Sequence, residues 1–185
     1  MENNLVGIAI LLDEKSFNFA RKKEIEILKN IGTTGGLCQS PHITVKRPFS
    51  VGDEKLEEIE NYMEELSKDI EPFQVNIDGF GYFEPEVIYL NIEHSDQLQE
   101  LHVRIIGDLS SKFVIQPDEK EANKTFTFHS TIAYSDLTEE NFYEAKQYLD
   151  STSTFKYSFV FDEIALFYKV KERDFWIISK RCKVA

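Results

Sequence analysis

The chain has 185 residues, 42% of them hydrophobic and 29% charged, and carries a formal charge of −12. That length and balance describe one folded domain, or two closely packed lobes, and exclude a disordered segment. A surface so acidic repels a polyanion over about 8–10 Å. The basic clusters Arg21-Lys22-Lys23 and Lys169 to Arg173 are followed or interrupted by acids, so long duplex nucleic acid is not an expected partner.

Cys38 and Cys182 lie far apart with no CxxC or His-rich spacing, which argues against a disulfide scaffold and a structural zinc site. The apolar run Leu5 to Leu12 falls well short of the ~20 residues that span a membrane. It follows Glu2 rather than a basic segment, so it is not read as a signal peptide. The expectation is a cytoplasmic monomer with no membrane partner.

In chain order, Leu5 to Leu12 reads as a buried strand. A helix is predicted from Phe17 to Ile31, with Ser16 as N-cap and Gly32 as stop. Thr33 to Gly36 reads as a flexible loop, and His42 to Phe49 as a strand between Pro41 and Pro48. Asp53 caps a predicted helix bearing Leu56, Ile59, Met63, Leu66 and Ile70 on one face. Phe73 to Phe80 returns to strand spacing.

The order then recurs. Val87 to Ile92 is a predicted strand, Asp96 to Phe113 a helix and Thr125 to Tyr134 a strand. Thr138 caps a helix with Leu137 and Phe142 placed as a hydrophobic staple. Phe155 to Val170 reads as one strand, bent or bulged, and Asp174 to Cys182 as the last. Strand–helix–strand–helix–strand is thus written twice, with one strand over. The predicted fold is mixed α+β: two pseudo-symmetric lobes (repeats near 1–80 and 86–170, final strand 174–182), each an antiparallel sheet with outer helices, enclosing a central cleft.

The third element from the start of each copy carries His-x-Thr. In a strand, residues i and i+2 share a face about 7 Å apart. His42 therefore faces with Thr44, and His129 with Thr131; Lys46 continues the first stripe. Composition alone would give two such matches among four histidines about one time in ten. Placement at corresponding points of a repeated architecture carries more weight. So polar a face lines a wet cleft or makes hydrogen bonds. His94 reads as a solvated loop residue and His102 as a boundary residue of an apolar helix face.

Pro41-His42-Ile43-Thr44-Val45 and Phe128-His129-Ser130-Thr131-Ile132 resemble the paired motifs of the two-histidine (2H) phosphoesterase superfamily. That group includes 2′-5′ RNA ligase-like proteins and cyclic nucleotide phosphodiesterases. The stretch Gly79 to Pro85 leading into Val87 to Leu90 resembles the family's middle segment. Ile164 to Trp176 resembles its closing strand pair. Ser130 departs from the pattern, where an apolar residue is commoner, and points away from the expected cleft.

The resemblance implies a metal-independent, cofactor-free phosphodiesterase acting on a 2′,3′-cyclic phosphate or 2′-5′ linkage of a small nucleotide or RNA terminus. A reference pKa near 6.5 lets one imidazole accept a proton while its partner donates one. Thr44 and Thr131 hydroxyls can donate to the non-bridging oxygens. Lys46 is the candidate phosphate cation; Phe83 and Tyr134 are candidates for stacking on a base, although strict alternation turns Tyr134 off the His129 face. The alternatives are a non-catalytic module that binds nucleotides or RNA ends in the same cleft, and an unrelated αβ interaction domain.

Overall fold

The computed structural model describes residues 4–122, 126–152, 155–170 and 175–185. Strand β1 (Asn4–Leu11) leads into helix α1 (Glu14–Ile31), a 3₁₀ turn (Gly35–Cys38) and strand β2 (His42–Val51). Helix α2 (Asp53–Lys68), strands β3 (Phe73–Phe83) and β4 (Val87–Ile92) and helix α3 (Asp96–Phe113) follow. Strand β5 (His129–Ala133), helix α4 (Glu139–Asp150) and strands β6 (Lys156–Phe161), β7 (Glu163–Val170) and β8 (Phe175–Lys183) complete the chain.

The strands form two four-stranded sheets, in the orders β2-β1-β7-β8 and β5-β4-β3-β6. Every neighbouring pair is antiparallel. The α+β, two-lobed architecture expected from the sequence is therefore present. Sheet membership does not follow the two copies, however. The three-residue connection after Phe83 closes with a Glu86 N–H to Phe83 carbonyl bond of 2.7 Å. So short a link leaves β3 no course but to pair with β4, in the second sheet. The first sheet is completed from the other end of the chain, by β7 and β8.

The stretch read as one bent strand from Phe155 changes sheets at Asp162: β6 pairs with β3, whereas β7 pairs with β1. A single non-strand residue at a corner suffices for that switch. Each copy's first helix also leans on the other copy's motif strand, α1 on β5 and α3 on β2. One apolar core consequently runs through both lobes, from Ile8, Ile43 and Met63 to Leu90, Ile105 and Phe142.

Local details depart from the sequence reading at several ends. Asp13, not Ser16, caps α1: its carboxylate accepts from the Ser16 N–H at 2.9 Å. Asp13 is the shorter route because the Ser16 side chain is turned into the interior. Gly52 occupies the cap position of α2, and the Asp53 carboxylate instead accepts from Asn4 Nδ2 at 2.7 Å. Ser95 and Thr138 cap α3 and α4 through their hydroxyls. Thr125 and Asp174, the expected starts of two strands, lie outside the described residues.

Thr33 to Gly36 is not a free loop. Asp136, just past β5, accepts from the Thr34 and Gly35 N–H groups at 2.6 and 3.0 Å. A Cβ on Gly35 would sit 1.9 Å from the Tyr134 carbonyl oxygen, and one on Gly36 2.1 Å from that of Ile132. The glycine pair exists so that this turn can lie directly against the end of β5. Among the described residues no helix is long and apolar enough to cross a membrane.

Candidate active site

β2 and β5 are each the outer strand of a sheet. They lie next to one another without ladder pairing, so the two sheets splay apart between them. Both begin on their motif histidine. Strand alternation turns His42 and Thr44 from one side, and His129 and Thr131 from the other, into one cavity of about 290 Å³. The floor is β1, where Gly7 and Ala9 alternate with the core residues Val6, Ile8 and Ile10. Small side chains on that face leave the room that larger ones would fill. Phe167 of β7 and Trp176 of β8 close one side.

The two histidines are held alike. His42 Nδ1 lies 2.7 Å from the Ser40 carbonyl oxygen, and His129 Nδ1 lies 2.8 Å from that of Thr127. A carbonyl only accepts, so each Nδ1 carries hydrogen and each Nε2 is left as the exchangeable nitrogen of the neutral ring. The carbonyl two residues back thus fixes both tautomer and ring orientation. Aromatic contacts complete the seating. His42 packs on Phe167 with centroids 4.4 Å apart; His129 meets Phe83 edge-on at 5.1 Å and Tyr89 at 5.0 Å.

Both imidazoles are pushed toward neutrality. Burial lowers the His42 pKa to about 4, with a further contribution from His129, against the opposing pull of the Ser40 carbonyl. Burial also lowers His129, helped by the positive charges of Arg47 and Lys120, and opposed by the Thr127 carbonyl. The charge of His129 acting on His42 puts the two rings in one electrostatic environment.

Lys46 borders the cavity, but its ammonium is buried and 2.6 Å from Glu121 Oε2. Glu121 also accepts from the Arg47 and Asp118 N–H groups, at 2.5 and 3.0 Å. Two irregularities explain this. The β1–β2 register shifts between Val6 and Ile8 and again between Ile8 and Ala9, so that Val6 opposes Phe49, Ile8 opposes Lys46 and Ala9 opposes Thr44. The extra β2 residues interrupt the alternation, and Arg47 reaches the cavity. Its guanidinium pairs with Asp118 at 3.1 Å; five N–H donors leave others for a ligand.

Phe83 lies beside His129, not His42, on a second, adjoining compartment. Tyr134 does line the main cavity. β5 ends at Ala133 and the chain turns at Ser135, which has φ 61°, so strand alternation no longer governs residue 134. Ser130 points into the interior, fully buried, with its hydroxyl unpartnered among the described residues. His94 is exposed, as expected. His102 is not a boundary residue. It is buried, with Nδ1 2.7 Å from the Val45 carbonyl oxygen and its ring stacked on Phe126 at 4.4 Å. Among the described residues no three or more His, Cys, Asp or Glu side chains converge as a metal site.

Sequence reasoning missed Arg47, Phe167, Trp176 and the supporting ring Tyr89. The last is traceable: Gly81 faces Tyr89 across the β3–β4 ladder, and a Cβ there would sit 2.2 Å from the ring. Phe167 and Trp176 arrive from the far end of the chain, and no local pattern ties them to the motifs.

The model of the 2′-5′ RNA ligase superfamily matches residues 21–173. The chain belongs to this superfamily. Proteins of Bacillus licheniformis and Oceanobacillus iheyensis, provisionally named phosphoesterases, are each 33% identical to it. The alignments cover 50% of this chain and 52% of the first relative, and 55% of this chain and 56% of the second. The chain thus spans about half the length of the curated relatives it matches. Among solved structures, TT0787 of Thermus thermophilus superposes with a TM-score of 0.70 at 14% identity, over 97% of both chains. Escherichia coli LigT complexed with 3′-AMP gives a TM-score of 0.64 at 16% identity, over 100% of this chain and 99% of LigT. These superpositions carry the superfamily's two-lobed fold.

Proposed function

We propose that the chain is a phosphodiesterase that opens 2′,3′-cyclic phosphates, or cleaves 2′-5′ linkages, at nucleotide or RNA ends by paired-histidine acid–base catalysis. The observation that carries the reading is the convergence of His42, Thr44, His129 and Thr131 from two outer strands on one cavity. Superfamily membership supports it. So does the nucleotide in the LigT complex with 3′-AMP.

In the hydrolytic direction, Nε2 of one histidine takes a proton from water as the new P–O bond forms. Nε2 of the other gives a proton to the departing ribose oxygen as the old P–O bond breaks. In-line displacement places those two groups on opposite sides of phosphorus, which opposed strands supply. Each proton transfer contributes about 10²–10⁴-fold. Thr44 and Thr131 donate hydrogen bonds to the non-bridging oxygens, where negative charge grows. Arg47, rather than Lys46, which is already paired with Glu121, brings positive charge to the phosphate. Bound phosphate, being negative, raises both imidazole pKa values and so restores the proton that the acid needs.

The test is turnover of adenosine 2′,3′-cyclic phosphate in the presence of EDTA. Turnover is expected to survive chelation and to fall by about 10²–10⁴ in His42→Ala and in His129→Ala, with both variants folded by circular dichroism. Turnover that needs a metal, or that neither substitution alters, overturns the mechanism. Binding without turnover makes the cleft a recognition module.

A further inference from the structure

The main cavity continues past His129 into a compartment of about 500 Å³ that the proposed chemistry does not use. The two share Thr44, Arg47, Pro48, Val87 and His129 at their junction. Beyond the junction the walls change character. Phe83 and Phe126 present apolar surface, and Lys120 stands with them, with no ion pair among the described residues. Phe83 is 37% exposed and lines the compartment beside His129, the two ring centroids 5.1 Å apart.

Apolar and aromatic walls suit a nucleoside, because every base offers a π-face. A cation with no ion pair among the described residues, in a chain of net charge −12, suits an anion. A free cyclic mononucleotide carries only the phosphate that sits between the histidines and has no second anion for Lys120. An oligonucleotide end does, in the phosphodiester on the 5′ side of its terminal nucleoside.

We propose that this compartment holds the terminal nucleoside of an RNA-type end and that Lys120 pairs with the phosphate on its 5′ side. The substrate class is then an oligonucleotide terminus, or a nucleotide phosphorylated at both ends, in preference to a cyclic mononucleotide. The inference rests on the reading that His42 and His129 flank the phosphate on the 2′ or 3′ side, and it adds a specificity determinant to it.

The test uses binding, so that it does not depend on turnover. Dissociation constants for adenosine 3′-monophosphate and adenosine 3′,5′-bisphosphate are measured by calorimetry at one fixed ionic strength. The bisphosphate is expected to bind about tenfold more tightly, as one added charge-assisted contact allows. In Lys120→Gln that ratio falls close to one. Lys29→Gln, which removes the same charge from the exposed end of α1, leaves the ratio as it was. A ratio near one in the unaltered protein, or one that Lys120→Gln does not change, overturns the inference. If cyclic nucleotide is nevertheless turned over, the functional reading survives that result. If neither nucleotide binds, both fall.

Discussion

At the scale of single residues, the proposed catalysis depends on holding two imidazoles neutral and correctly turned until an anion arrives. Each is oriented by the carbonyl two residues earlier, and each is partly withdrawn from water. The sign of the pH dependence follows. Acid–base catalysis by a pair needs one ring neutral and one protonated, so kcat/KM, which reports the free enzyme, is greatest between the two pKa values. With His42 near 4 and His129 below its usual 6.5, that maximum lies in the acid range, between about pH 4 and 6.5. Above it, kcat/KM declines about tenfold per pH unit as the last imidazolium is lost. The profile of kcat, which reports the complex, is displaced to higher pH because bound phosphate favours the charged rings. A kcat/KM that climbs steadily to pH 8 contradicts this. The pairing of His42 with Thr44 and of His129 with Thr131 was legible in the sequence because a strand's period is strictly two. Lys46 shows where that logic stops: two register shifts break the alternation of β2 and bring Arg47 to the cavity, and such shifts leave no mark in hydropathy.

At the scale of elements, β2 owes its shape to a buried polar cluster reaching it from α3 and the segment that follows. Glu121 holds the Lys46 ammonium and the Arg47 N–H, while His102 holds the Val45 carbonyl. These contacts fix the shifted register and so aim Arg47 at the cavity. Removing one partner of a buried ion pair strands the other. Glu121→Ala is therefore expected to lose about 3–5 kcal/mol of stability in urea denaturation. The paired replacement Glu121→Leu with Lys46→Met, which leaves no buried charge, recovers most of that loss. Equal destabilisation by the single and the paired replacement contradicts the stranded-charge account. None of this cluster was visible beforehand. Glu121 and Lys46 are far apart in the chain, and a lone glutamate in an acidic stretch reads as solvated. The Gly35–Gly36 pair was legible as an irregular segment but not as a tight one, because the carbonyls it touches belong to β5 and its exit.

At the scale of the molecule, the repeat of strand–helix–strand–helix–strand was readable because helices and strands differ in hydropathic period and the caps at Thr138 and Gly32 are local signals. The distribution of strands between sheets was not readable. It follows from connection length, three residues between β3 and β4 and Asp162 alone between β6 and β7. The exchange interlocks the lobes: each sheet takes strands from both halves of the chain, and α1 and α3 lean across on the opposite motif strand. In the proposed reaction the two motif strands of a cleft tied in this way present their groups to either side of one phosphorus atom. That shared occupancy is the central claim, and NMR of the histidine ring nitrogens during titration with inorganic phosphate tests it most directly. The account predicts that His42 and His129 respond with one common dissociation constant and that both pKa values rise, by about one unit or more. Movement of one ring alone, or two unrelated binding curves, would show that no single phosphate lies between them.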